Sequence, residues 1–280
     1  MPIETIIIEP NKKNKQYFRD LWKFRELFLF LAWRDLTVRY KQTAIGISWA
    51  LLRPLLTILA LCLVRWLFNK NQTQNTPIAL EIASATLAWQ FFASSFSDSA
   101  NALVSNSNLV SKVYFPRLIV PASAIIVSLV DFCISLLILF GLMVYYSFLP
   151  GIQVLLFPLF LLLAAITALG SGLFFGALNV KFRDFRIVIP FIIQFGMYIS
   201  PVIFTSQEIY SHPDIPQYLK TLYSLNPMVS VIDGFHWCFY GGNPPLSSSS
   251  FLISLTVSFV LFIAGLITFR KIEGEFADII

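Results

Sequence analysis

The chain has 280 residues, 57% apolar and only 12% charged, with a mean hydropathy of +0.74. Soluble globular chains hold roughly 45–50% apolar and about 25% charged residues, so this one has too little charge to cover a water-facing surface. Disorder is excluded by the same figures, because a disordered chain needs low hydrophobicity and high net charge, and the +5 net charge here sits on an apolar background. The composition predicts a polytopic, all-α membrane protein.

Residues 1–44 are polar and carry nine Lys/Arg. They lack the short apolar core of a cleavable signal, so the first span is expected to act as the insertion signal. Between Tyr17 and Trp33, Trp22, Phe24 and Phe28 alternate with Arg19, Lys23 and Arg25. This predicts an amphipathic helix lying in the membrane interface. A plain anchor and a platform that also touches a cytoplasmic partner both fit the pattern.

Six spans follow, at about 45–68, 78–100, 118–148, 152–178, 187–204 and 250–269. A span needs about 20 apolar residues, so the uncharged run from Phe132 to Val180 holds two, divided at Leu149-Pro150-Gly151. Each is expected to be helical, because backbone amides in lipid find partners only within the helix. The remaining chain divides into a 1–44 cytoplasmic N-terminal segment and a 45–280 transmembrane domain ending in a short tail, 270–280.

The Lys/Arg residues alternate by side. Residues 1–44, the loops holding Lys112 and Arg117 or Lys181, Arg183 and Arg186, and the tail with Arg270 and Lys271 carry 16 of the 20. By the positive-inside rule both termini are cytoplasmic. The basic charge is therefore read as a topology signal, with no nucleic-acid partner.

The segment 205–249, between spans five and six, is long yet aromatic and apolar, with Tyr223 and Trp237, and is interrupted by Asn226-Pro227. A solvated loop would be more polar. Two short re-entrant helices, tucked back where backbone is buried in protein or lines a cavity, fit it better. Such elements could close a pathway on the outside, with Tyr223, Asn226, Pro227 and Trp237 as the candidate external gate.

No catalytic constellation is present: the chain has no phosphate-binding loop and no HExxH, and its two histidines, His212 and His236, lie 24 residues apart. Cys62, Cys133 and Cys238 form no CxxC pair, which argues against a disulfide framework or a zinc site. Gly172 and Gly176 form a GxxxG packing face within an apolar helix. Ionisable residues at membrane depth are costly and are functional candidates by default. Arg65 can snorkel outward and Glu81 can sit at headgroup level, which leaves Arg53 and Asp131 as the buried ionisable pair. Each suits either a helix-to-helix bond or a proton relay. Aromatic stripes recur at helical spacing, Trp89, Phe92 and Phe96 in span two and Phe191, Phe195 and Tyr198 in span five. Packing or lipid contact accounts for such stripes, and so does a path lined with ring faces on which sugar C–H faces slide.

Four stretches carry a resemblance. They are Trp33-Arg34-Asp35-Leu36-Thr37-Val38-Arg39-Tyr40 through Ile45-Gly46-Ile47-Ser48-Trp49 with Pro54-Leu55; Asn108 to Arg117 with Pro121; Asn179-Val180-Lys181-Phe182-Arg183-Asp184 leading to Ser200-Pro201-Val202; and Asn226-Pro227 with the terminal Phe276-Ala277-Asp278-Ile279-Ile280. In this order and topology the chain resembles the membrane (permease) subunits of ATP-binding-cassette polysaccharide exporters, those for O-antigen, capsule and teichoic-acid chains. The resemblance covers about residue 20 to the end, with Ile45 and Lys181 as small departures.

It implies a channel-forming homodimer in a bacterial inner or plasma membrane, working with two copies of a cytoplasmic ATPase. ATP and magnesium would bind that partner, and this chain would bind no cofactor and be no enzyme. The cargo would be a lipid-linked, O-antigen-like polysaccharide, which places the protein in lipopolysaccharide biosynthesis. A coupling helix is expected at about 101–112. Arg34, Asp35, Arg39, Asn108, Lys112 and Arg117 are the candidate ATPase interface. A drug or lipid exporter of the same superfamily is the near rival. A proton-coupled secondary transporter using Asp131 and Glu81 is the distant one, though no inverted repeat is evident. A membrane transferase lacks any site for its chemistry.

Overall fold

The computed structural model describes residues 14–41, 48–68, 77–182, 184–241 and 249–276. Lys12, Lys13, Lys70 and Arg183, the Ile45-Gly46-Ile47 motif, residues 242–248 and the terminal 277–280 fall outside the described residues.

Every regular element among the described residues is helical. Two helices, α1 (Asn14–Lys23) and α2 (Arg25–Lys41), precede α3 (Ser48–Phe68), α4 (Ile78–Ser105), the short α5 (Ser107–Lys112) and α6 (Ile119–Tyr145). A 3-10 turn at Ile152–Leu156 leads into α7 (Phe157–Lys181), then α8 (Phe185–Ile199), α9 (Ser206–Ser211), α10 (Gln217–Ser224), α11 (Pro227–Tyr240) and α12 (Ser249–Ile272). Four stretches are long and apolar enough to cross a membrane: Ser48–Leu67, Ile119–Tyr145, Ile152–Lys181 and Ser249–Glu275.

The other two expected spans depart from that criterion for different reasons. At 28 residues α4 is long enough, about 42 Å at 1.5 Å per residue. It is packed against α3, α6, α7, α8 and α11, so most of its surface meets protein. Ser84, Thr86, Ser95 and Ser99 are accordingly buried within it. In contrast α8 is apolar but has only 15 residues. It stops at Ile199 because Ser200 precedes Pro201, whose ring disfavours helical backbone at the residue before it.

Close helix approach is made possible by glycine. A side chain on Gly172 would meet Ser99 Oγ at 2.4 Å and one on Gly176 would meet the Ala100 backbone at 3.3 Å, so the expected GxxxG face packs α7 onto α4. Gly170 and Gly265 play the same part between α7 and α12.

The expected single amphipathic helix near Tyr17–Trp33 is broken at Phe24 and is not one-sided. In α2, Leu31 and Ala32 are buried, and the helix packs on α6. Trp22, Leu29, Phe30 and Trp33 point outward and stay exposed, Trp22 and Trp33 at 72%. One apolar face thus serves the bundle and the other is left for an apolar surrounding. Where a coupling helix was expected at about 101–112, residues 101–105 continue α4, and only Ser107–Lys112 forms a separate helix.

Candidate functional site

Between α3 and α8, with α4 and α6 behind, lies an open cavity of about 1090 Å³. Trp49, Arg53 and Thr57 line it from α3, and Trp89, Gln90 and Asp98 from α4. Asp131 and Ser135 come from α6, and Pro190, Gln194 and Met197 from α8. Arg39 and Tyr40, at the end of α2, complete the wall.

Arg39 forks between two helices. Its Nη1 donates to Asp131 Oδ2 at 2.5 Å and its Nη2 to Asp98 Oδ2 at 2.7 Å. Tyr40 Oη donates to the other Asp131 oxygen, and Ser128 Oγ to Asp98 Oδ2 at 3.1 Å. Ser135 Oγ donates to the Ala50 carbonyl at 3.1 Å and so brings α3 into the cluster. Arg39, expected at an ATPase interface, spends both ends of its guanidinium on carboxylates that border the cavity. Asp131, expected to serve as a helix-to-helix bond or a proton relay, is joined here to Arg39 and Tyr40 of α2. Asp98 was missed by sequence reasoning, although a carboxylate within the expected span 78–100 was a signal for it.

The aromatic stripes separate. Trp89 reaches the cavity, whereas Phe92 and Phe96 are 6% and 1% exposed and do not line it. They stack on each other at 5.8 Å, and Phe96 meets Phe175 of α7 at 5.5 Å. Their expected place on a path is corrected to core packing, since α4 is enclosed on those sides. Phe191, Phe195 and Tyr198 are exposed on α8, with Phe191 and Phe195 stacked at 6.0 Å. They run beside the α8 residues that line the cavity rather than in its wall.

At the end of the array that holds α1, α2 and α5, Asn108 and Lys112 are exposed on α5. Arg34 donates to Asp35 Oδ1 at 2.6 Å and to Asn106 Oδ1 at 2.5 Å, fixing α2 to the hinge between α4 and α5. Arg117, also expected at the ATPase interface, is engaged within the chain. Its guanidinium donates to the Glu273 carbonyl, its backbone N–H donates to Glu273 Oε1 at 3.1 Å, and it lies over the Phe276 ring at 5.9 Å. Tyr17 Oη also donates to Glu273 Oε1, at 2.8 Å, and Arg270 stacks on the Tyr17 ring at 3.6 Å. Burial, with the Glu273 carboxylate beside it, pushes the Tyr17 phenol well above its ordinary range, so it remains a donor at neutral pH.

At the opposite end, Arg65 is buried at 2% exposure, not snorkelling outward as expected. It donates to Glu208 Oε1 of α9 at 2.7 Å and to the Ile203 carbonyl, and lies 3.6 Å from Glu81 Oε2 of α4. The residues expected to form a gate lie on α10, on α11 and at the junction between them. Asn226 caps α11, accepting from Met228 N at 2.9 Å and donating to Ser200 Oγ at 2.9 Å, while Pro227 opens the helix. Tyr223 packs edge-on against Tyr210, and Trp237 against Phe160.

Four helices long and apolar enough to cross a membrane and a cavity open at the side of the bundle fit a membrane transport subunit. The profile of the ABC-2 type transporter family matches residues 26–240, and the chain belongs to that family. It is 28% identical to the O-antigen export system permease protein RfbA of Myxococcus xanthus, over 93% of this chain and 97% of that protein. It is 26% identical to an O-antigen export system permease protein RfbA of Klebsiella pneumoniae, over 91% and 95%.

Proposed function

We propose that this chain is the channel-forming subunit of an exporter that moves a lipid-linked, O-antigen-like polysaccharide across the inner or plasma membrane. The observation that carries the reading is the cavity between α3 and α8, in a chain that aligns over nearly its full length with O-antigen export permeases. On this reading α4 and α8 join the four long apolar helices to make six spans, and two copies face each other so that the α3–α8 sides enclose the path. The exposed strip of Phe191, Phe195 and Tyr198 then faces that path, as does Trp89.

Both termini are cytoplasmic, by the side on which Lys/Arg residues cluster. The exposed face of α5, with Asn108 and Lys112, meets a separate ATPase beside Arg34 and Asp35. That partner binds ATP and magnesium. Its ATP-bound form binds one conformation of the permease better than the other, as any ligand-driven change requires. The helices α9 to α11, with Tyr223, Asn226, Pro227 and Trp237, re-enter from outside and gate the path.

The test is reconstitution of the chain with its cognate ATPase, paired with deletion of the gene. Vesicles should translocate lipid-linked glycan on ATP addition, and deleted cells should lose surface glycan. Cells that keep their surface glycan would remove the reading.

A further inference from the structure

The charged lining of the cavity is two arginines, Arg39 and Arg53, and two aspartates, Asp98 and Asp131. Both aspartates are bound to Arg39. Arg53 is exposed in the second turn of α3, and no described carboxylate lies within ion-pair distance of it. Thr57 Oγ1, one turn on, donates to the Arg53 carbonyl at 2.9 Å and leaves the guanidinium untouched. Guanidinium stays charged at any physiological pH, and a cation at membrane depth is costly unless something answers it. The two cavity arginines thus differ in kind: one is saturated from within, the other is open.

The neutral polar lining points the same way. The side-chain amides of Gln90 on α4 and Gln194 on α8 both line the cavity, and neither makes a hydrogen bond to a described residue. Around them stand apolar groups: Leu56, Trp89, Ile193 and Met197. One fixed positive charge, two idle amides and an apolar wall match a ligand with one negative charge, several acceptor oxygens and a hydrocarbon part. A phosphate ester on an amphiphile has that combination, and guanidinium binds its oxygens in a bidentate fork.

We infer that Arg53, with Gln90 and Gln194, forms a subsite for the phosphate group of an amphiphilic substrate in the α3–α8 cavity. The inference rests on the transport reading for the identity of the substrate but not for the binding itself. The subsite sits against low-dielectric walls, where a charge-assisted bond is stronger than in water. Arg39 takes no part, because a phosphate there would have to displace two carboxylates.

The test uses the full chain with its ATPase in phosphatidylcholine nanodiscs, and farnesyl phosphate against farnesol as probes. Quenching of tryptophan fluorescence reads binding, since Trp49 and Trp89 line the cavity. Farnesyl phosphate should bind, and farnesol should bind at least about tenfold more weakly, as loss of a charge-assisted pair predicts. Arg53→Gln should lower phosphate affinity by about tenfold or more, Arg53→Lys by less, and Lys271→Gln not at all. Equal binding of the two probes, or equal affinity in Arg53→Gln, overturns the subsite. If Arg53→Gln does not fold, the Arg53→Lys shift and the farnesol comparison still decide.

Nanodiscs containing phosphatidylglycerol separate the two sources of phosphate. Undiminished farnesyl phosphate affinity supports a substrate subsite, whereas full competition identifies a lipid-headgroup anchor and overturns it. Arg53-dependent binding in a protein that exports nothing would sink the transport reading and leave the subsite. Export without such binding would sink the subsite alone.

Discussion

Arg39 and Arg65 serve opposite ends of α3, and they differ in how much water reaches them. Arg65 is 2% exposed and held by Glu208, Glu81 and a carbonyl. The Arg39 side chain is 35% exposed, opens on the cavity, and is shared between Asp98 and Asp131. Both ion groups tie three elements together, yet only the second borders the open cavity. Burial makes the first a fixed staple between α3, α4 and α9. Partial exposure lets water screen the second, which connects α2 to the two helices behind the cavity.

That contrast is broken most directly by deleting each arginine. Arg65→Ala leaves two carboxylates facing one another without their cation. It should destabilise the protein by about 3–5 kcal/mol, the cost of stranding a buried ion-pair partner. Arg39→Ala should cost about 1–2 kcal/mol, between the values for buried and exposed pairs. Thermal unfolding of the purified variants checks both. Equal losses would mean that the two clusters do not differ in the way their exposure indicates.

A smaller effect sharpens the Arg39 side of the comparison. Asp131→Asn keeps hydrogen-bonding capacity toward Arg39 and Tyr40 and leaves Asp98 to balance the charge. It should cost about 1 kcal/mol or less in stability and leave export within about threefold of the parent, a rate change worth less than 1 kcal/mol. A proton relay at Asp131 would instead lose transport altogether, and vesicle export at constant protein level distinguishes the outcomes.

The two clusters also show what could be read from the chain beforehand. Span positions, the turn at Leu149–Gly151 and the break at Asn226-Pro227 follow from hydrophobic runs and from proline and glycine chemistry, which are local. Arg39 and Asp131 were both visible, but their pairing was not, since 92 residues separate them. Asp98 could have been singled out as a carboxylate in a span. Glu208 and Glu273 could not, because each lies where a charge is ordinary, and only the fold brings Arg65 and Arg117 to them. The stripe of Trp89, Phe92 and Phe96 was legible as a helix face. Which neighbour covers that face is a property of α7 and α8.

The smallest expected stability change carries the most information about coupling. Lys112 and Arg117 lie five residues apart around the α5–α6 elbow, and charge alone does not tell them apart. The structure does: Arg117 is locked to Glu273 and Phe276, while Lys112 is exposed on α5 with no ion pair among the described residues. Lys112→Glu should therefore change stability by no more than about 0.5 kcal/mol, as surface substitutions do. If α5 docks on the ATPase, the same variant should still insert and bind substrate but hydrolyse ATP without exporting glycan. Arg117→Glu should fail differently, losing stability together with export, because it sets a carboxylate against Glu273. Measuring unfolding, ATP hydrolysis and export in both variants resolves the assignment. A Lys112→Glu protein that couples normally would remove α5 as the contact, whereas loss of coupling at full stability would place the motor's grip on the one cation of this elbow that the fold leaves exposed.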